Sequence, residues 1–411
     1  TSTTNDATVG SNAWTSPGLT MASDNTYSSV STKGTSNYLK ATNFEFNIPT
    51  PSSVLGIQLD VERNTNGPSD VSLLDPWTVG LSRTISAGTN RCLVVAYAQE
   101  NGMDSRDLTA VTYGGRSMTQ VAEFAAGTAG AFMARLEIWV LFEPDIVLAS
   151  NSTIVPSFGS YTALEYCDAF SAASYQNVDQ LVPLFSQQTI GAQGSANPHQ
   201  LATPFATLPG SMAIQLVTSG NRDSSNPSPN TNTNSYATPT GYTEVVDYYY
   251  ANATVAPTSG ASLQVIQKVT TAAGTEAPAC TFNGSVNRYA ILGVCLQRAR
   301  ELDHSVRLVK GGVIGGSDLA SSAAWPTSDT YTSYGGSTSL WGRTWTDADI
   351  NSPGFGAAIA ATVQNGAARI DHMRLTVWYF STLPVELLDL RATREGATVR
   401  VEWVTASEQN N

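Results

Sequence analysis

Alternation of apolar and polar residues with a period of two runs through this chain from end to end and restricts it to antiparallel β-structure. Leu55, Ile57, Leu59 and Val61 alternate with Gly56, Gln58 and Asp60. Leu136, Ile138, Val140 and Phe142 alternate with Arg135, Glu137 and Trp139, and Met373, Leu375, Val377 and Tyr379 with His372, Arg374 and Thr376. Such runs, bounded by Gly, Pro, Asn and Ser clusters, predict half-buried antiparallel strands. No stretch carries a convincing amphipathic-helix period. Residues 346–350 (TDADI) predict a single helical turn capped by Thr346. The fold class expected is all-β, built from packed sandwiches.

The 411 residues suffice for two or three domains, and a hydrophobic content of 41% suffices for their cores. Charged residues make up only 13% of the chain, about half the usual ~25%. Ser, Thr, Asn and Gly fill the polar positions instead, which suits a secreted β-protein with a weakly charged surface. The net charge is −12, without a basic patch, so nucleic acid and anionic membranes are excluded as expected partners. No apolar run approaches ~18 residues, so no membrane span is expected. The opening residues carry no signal-peptide pattern, and Thr1 is expected to be a processed N-terminus.

Candidate chemistry is sparse. His199, His304 and His372 lack metal-ligand spacing. Asp371-His372 stands without a GxSxG elbow, so a structural role is expected. GGVIGG at 311–316 lacks the Lys-Ser/Thr and the following helix of a phosphate loop and reads as a turn between strands. Asp347 and Asp349 fit the start of the short helical turn. Asp104, Asp107 and Glu100 offer oxygen ligands for calcium, although their spacing matches no EF-hand. No cofactor is expected, and no catalytic residue is assigned.

Binding candidates are better defined. Trp325, Trp341 and Trp345 lie in Gly/Ser-rich loops, and Tyr248-Tyr249-Tyr250 forms a run; exposed rings of this kind stack on sugars. The competing reading for them is core packing. Asn151, Asn252 and Asn283 each begin an N-x-S/T triplet, the best-defined places for covalent sugar. Residues 221–240 are almost pure Ser, Thr, Asn and Pro, predicting a long exposed loop whose composition is similar to O-glycosylated segments.

The last residues, 383–411, predict two alternating strands joined at Arg394-Glu395-Gly396. An isolated hairpin is marginal in water, so this one needs a surface to lie on. Its wording, LPVELL followed by VEWVTASEQNN, resembles the start of the fibronectin-type-III-like module found near the C-termini of large secreted proteins of Bacteroidetes-type bacteria. That module continues for several more strands, and the resemblance implies a sandwich completed in trans.

Two further resemblances set the domain order. Residues 12–63 (NAWTSPGLTMASDNTYSSV through VLGIQLDVER) and 305–380 (SVRLVKGG through ARIDHMRLTVWYF) resemble the two halves of one β-sandwich module of bacterial and phage-like surface proteins. The intervening TISAGTNRCLVVAYAQE, LTAVTYGGRSMTQVAE, RLEIWVLFEP and VNRYAILGVCLQR resemble a jelly-roll-like sandwich repeated in secreted bacterial proteins. These imply an outer sandwich at 1–70 and 303–382, an insert at 71–302 and a hairpin at 383–411. Four cysteines without CxxC spacing allow two disulfides in three connectivities. Cys92 and Cys295, on the first and last strands of the insert, form the first pair to consider, leaving Cys167 and Cys280; the alternative is four buried thiols.

The expected function is structural, in an extracellular filament or surface layer of identical subunits. Val385, Leu388, Leu390, Val399, Val401 and Trp403 are the expected contact residues, pairing with a neighbour's sheet edge or groove. Residues 1–10 are the alternative donor. A monomeric adhesin or carbohydrate-binding protein is the second expectation, with glycans as partners; an enzyme is not expected.

Overall fold

A computed structural model describes residues 1–101, 107–128, 131–159, 168–193, 197–221, 236–251, 260–283, 288–381 and 387–405. Cys167, Asn252, Val385, Asp104 and most of the 221–240 loop lie outside the described residues, as do the side chains of Glu100, Tyr249, Tyr250 and Leu388. The chain is all-β, and its helices among the described residues are short: a 3-10 turn at Pro17–Thr20 and α-helices at Glu143–Ile146 and Asp347–Asn351. It divides into two compact units. The first comprises residues 1–66, 301–363 and 367–411; the second comprises 67–300 with 364–366.

The first unit is a sandwich of two antiparallel sheets. One has the order Ser2–Asp6, Tyr38–Thr42, Gly356–Val363, Leu302–Lys310, Val313–Gly315, with Gly34–Thr35 also pairing to Gly356–Val363. The other has the order Ser28–Val30, Ala367–Ser381, Ser52–Asn66, Thr330–Gly336. Register explains the core. Ile57, Leu59 and Val61 lie opposite Val377, Leu375 and Met373. On the facing sheet Val306 and Leu308 lie opposite Ile359 and Ala357. Directly opposed residues share a face, so both sets turn inward together. The segment Ser2–Asp6, within the alternative donor stretch, pairs in its own unit with Tyr38–Thr42.

The second unit is also a sandwich of two antiparallel sheets. The orders are Thr119–Thr128, Ala131–Phe142, Cys92–Asn101, Asp168–Gln176, Ser72–Val79 and Leu184–Gln193, Arg288–Leu296, Met212–Asn221, Gly260–Val269, Thr243–Ala251. Val94, Ala96, Leu136 and Ile138 meet Ile214, Leu216, Leu292 and Val294 between the sheets. The outer faces are covered too. Leu93, Val95, Tyr97, Trp139 and Leu141 pack beneath the small sheet of Ala110–Tyr113, Arg116–Ser117 and Ile154–Ser157. Ile291, Cys295, Ala213 and Val217 pack with Phe205, Tyr236 and Phe282. The central strands are therefore buried on both faces rather than one. This explains the unbroken apolar run from Cys92 to Tyr97.

The helical turn at Asp347–Asn351 carries a full capping box: the Thr346 side chain accepts from the Asp349 amide, and the Asp349 carboxylate accepts from the Thr346 amide. GGVIGG forms the turn joining Leu302–Lys310 to Val313–Gly315.

Candidate interaction surface at the C-terminal hairpin

Leu387–Glu395 and Thr398–Thr405 form a two-stranded antiparallel sheet. The turn is tight because Gly396 takes φ 66, a left-handed conformation that costs glycine little. Leu390 lies opposite Trp403, Ala392 opposite Val401 and Arg394 opposite Val399, so one face is predominantly apolar. Arg391 lies opposite Glu402 and Thr393 opposite Arg400, making the other face mainly polar, with Val404 opposite Asp389 as its apolar member. Ion pairs decorate it: Arg391 with Asp389 at 2.8 Å and Arg400 with Glu395 at 2.8 Å.

Within the described residues the two strands pair only with each other, leaving both outer edges without ladder partners. The apolar side chains stay in water: Leu390 is 59% exposed, Val399 61%, Val401 50% and Trp403 62%. Large apolar groups concentrated on one face of a small sheet mark an interaction surface rather than scattered surface hydrophobics. Four of the six expected contact residues are thus brought together on one face.

The three loop tryptophans are core residues, which corrects the sugar-stacking expectation. Trp325, Trp341 and Trp345 are 3%, 2% and 7% exposed and belong to the core of the first unit. Trp325 stacks on Trp14 with ring centroids 6.4 Å apart, and its indole N–H donates to Asp303 at 2.8 Å. Asp303 also accepts from the Tyr334 hydroxyl at 2.8 Å and the Ser321 amide at 2.9 Å, and it pairs with Arg63. The Arg63 guanidinium lies 4.7 Å from the Trp325 ring centroid. A buried ion pair costs desolvation, and these donors offset that cost. Trp341 donates to the Ile57 carbonyl at 2.9 Å, and Trp345 to the Leu340 carbonyl at 3.0 Å. No ring face is left for a sugar. Tyr248 packs, partly buried, against the core of the second unit.

The Cys92–Cys295 disulfide is not formed, and Cys280 is free as well. Cys92 faces the core between the two sheets, whereas Cys295 faces the outer layer of the second sheet. A bridge would have to pass through that sheet. Burial pushes all three thiols up; that of Cys280 reaches about 12. Among the glycosylation candidates, Asn151 and Asn283 are exposed.

His199 and His372 have structural surroundings, whereas His304 is exposed. His199 is fully buried, stacked on Tyr289 at 4.2 Å, with Nε2 2.8 Å from the Ser219 hydroxyl. This Ser–His contact is sealed from solvent. His372 Nδ1 lies 2.8 Å from the Tyr331 hydroxyl.

Sequence reasoning missed one polar cluster. Asp107 meets Glu123 and Glu137, their carboxylate oxygens within 4.8 Å of one another. That spacing is compatible with a hard cation. Here Arg135 supplies the positive charge: its Nη1 lies 2.9 Å from Asp107, 3.0 Å from Glu123 and 3.2 Å from Glu137. Glu137 also accepts from the Trp139 indole at 2.9 Å and the Leu108 amide at 3.2 Å. Burial outweighs these contacts and pushes its carboxyl up to about 7.

No family model matches the chain, and no curated protein matches it. A solved structure of infectious bursal disease virus, Gx strain, aligns with 89% of this chain and 86% of its own at 11% identity, with a TM-score of 0.12. That overlap is too weak to carry an argument about fold or function.

Proposed function

We propose that this chain is a secreted, Bacteroidetes-type structural subunit that assembles with identical copies into an extracellular filament or surface layer. The C-terminal hairpin is the assembling element. It docks by strand complementation, a free hairpin edge extending a sheet on a neighbouring copy while its apolar face packs down. A contact between two different surfaces of the same chain does not close on itself and propagates as a fibre. The observation that supports this reading is the apolar face of Leu390, Val399, Val401 and Trp403, left in water between two edges that are unpaired among the described residues.

A charge in that face tests the reading. Val401→Asp is expected to abolish sedimentable polymer while leaving the thermal unfolding of the chain unchanged. Polymer persisting at wild-type levels in a folded variant rules the hairpin out as the assembling element.

A further inference from the structure

Most sheet edges of the first unit are protected. Ser2–Asp6 is polar throughout, Ser28–Val30 and Val313–Gly315 have only 3 residues each, and Thr330–Gly336 ends in Gly335 and Gly336 at φ 77 and φ 153. The strand Ala367–Ser381 is the exception. Near its start it pairs with Ser28–Val30 through Ala368, Arg369 and Ile370, and Met21 bridges to His372. Beyond that point it pairs on one side only, with Ser52–Asn66. Among the described residues its other edge, along 374–381, has no ladder partner.

Along 375–380 that edge carries none of the usual safeguards. The residues read LTVWYF, without charge, Gly or Pro, and consist of strong strand formers. Exposed edges of this kind pair with other strands. The core beside it is unfinished as well. Ile57 and Leu59 are fully buried, whereas Val377 and Leu375, directly opposite them, are only partly buried. The flanking strands account for the difference: Ser52–Asn66 lies between two neighbours, and 374–381 has a neighbour on one side. Tyr379 and Phe380, further along the same strand, are 40% and 60% exposed.

We infer that the free edge at 374–381 receives the C-terminal hairpin of a second copy, with Thr398–Thr405 as the next strand of the sheet. This rests on the assembly reading and names the surface on which the hairpin docks. The lengths agree, since Thr398–Thr405 has 8 residues to run along 374–381. Val399, Val401 and Trp403 recur at every second residue, as Leu375, Val377 and Tyr379 do. A single register therefore sets the two apolar rows side by side on one face. Main-chain hydrogen bonds then satisfy two edges at once, and the added row closes the core over Leu375 and Val377. Donor and acceptor are different surfaces of the chain, so the contact propagates.

Two full-length variants, each lacking one half of the contact, separate this inference from the assembly reading. Val401→Asp spoils the donor and keeps the edge. Tyr379→Lys combined with Phe380→Lys puts charge on the edge and keeps the donor. Tyr379 and Phe380 are exposed, so thermal unfolding should match wild type; if the double variant melts early, Phe380→Lys alone takes its place. Each variant by itself should lose sedimentable polymer at least about tenfold, because docking would bury an unpaired charge. Mixed in equal amounts, they should form one-to-one dimers and nothing longer, since one intact donor meets one intact edge; analytical ultracentrifugation reads the mass. Wild-type levels of polymer from the edge variant overturn the inference and leave the hairpin reading standing, and so does a mixture that stays monomeric. Polymer from Val401→Asp, or a wild-type chain that forms none, overturns both.

Discussion

Replacing Trp325 separates a core tryptophan from a ligand-binding one. The ring is 3% exposed, stacked on Trp14 and covered by Arg63. Truncating such a side chain to alanine costs about 3–5 kcal/mol through lost burial and the cavity left behind. The change also removes one donor to the buried Asp303 carboxylate, adding about 1–3 kcal/mol. The total, about 4–8 kcal/mol, overlaps the lower part of the whole stability of a domain. Trp325→Ala should therefore leave the first unit largely unfolded. Trp325→Phe keeps a ring and loses the N–H, so about 2 kcal/mol is expected. Trp403→Ala, in the exposed hairpin, should stay within about 0.5 kcal/mol in dispersed protein. Denaturant unfolding followed by circular dichroism reads all three. A Trp325→Ala protein with wild-type unfolding would refute the assignment of this residue to the core.

Three further outcomes follow from the same geometry. Cys92, Cys280 and Cys295 should resist alkylation in the native protein and react once it is unfolded, and reductant should leave the melting temperature unchanged; native labelling of any of the three contradicts their burial as free thiols. The Glu137 carboxyl has an ordinary value of 4.5 and a folded one of about 7, so the folded state keeps a proton that the unfolded chain releases between them. The contribution of Glu137 to stability is then fully present below about 4.5 and lost as pH rises through about 7, on the order of 3 kcal/mol, against the opposite contribution of carboxylates such as Asp60 and Asp75 that are held low. Glu137→Gln should flatten that decline, and a variant melting with the same pH profile as wild type would exclude Glu137 as its source. Thr346→Ala removes the capping-box hydroxyl and should cost about 1 kcal/mol in denaturant unfolding; no change would mean the Asp347–Asn351 turn is held by packing alone.

The strands were legible because alternation reports one buried face, as at Ile57–Val61 and Met373–Val377; it fails at Leu55 and Tyr379, 50% and 40% exposed, because the ladder shifts register between Trp378 and Tyr379 and buries Val54 instead. It falls silent where both faces are buried. Cys92 and Cys295 sit on such strands, and nothing local tells which layer each thiol enters. The tryptophans misled for another reason. Gly/Ser-rich loops usually run over the surface, but these fold back over the core. Trp325 does so because Asp303, far away in sequence, offers its indole a buried acceptor. Proximity along the chain groups Asp107 with Asp104 and Glu100. The actual members of the carboxylate cluster are set by register, Glu123 opposite Glu137 across the hairpin of Thr119–Thr128 and Ala131–Phe142. The period-2 pattern of the C-terminal segment did mark its apolar face, because a two-stranded ribbon needs no long-range information beyond its turn.

The most direct test of the assembly account is cryo-electron microscopy of the native material, resolving residues 387–405. The account predicts fibres repeating by one protomer, with Leu390, Val401 and Trp403 buried against a neighbouring copy and one hairpin edge continuing its sheet. Dispersed single particles, or fibres in which the hairpin stays in solvent, would contradict it.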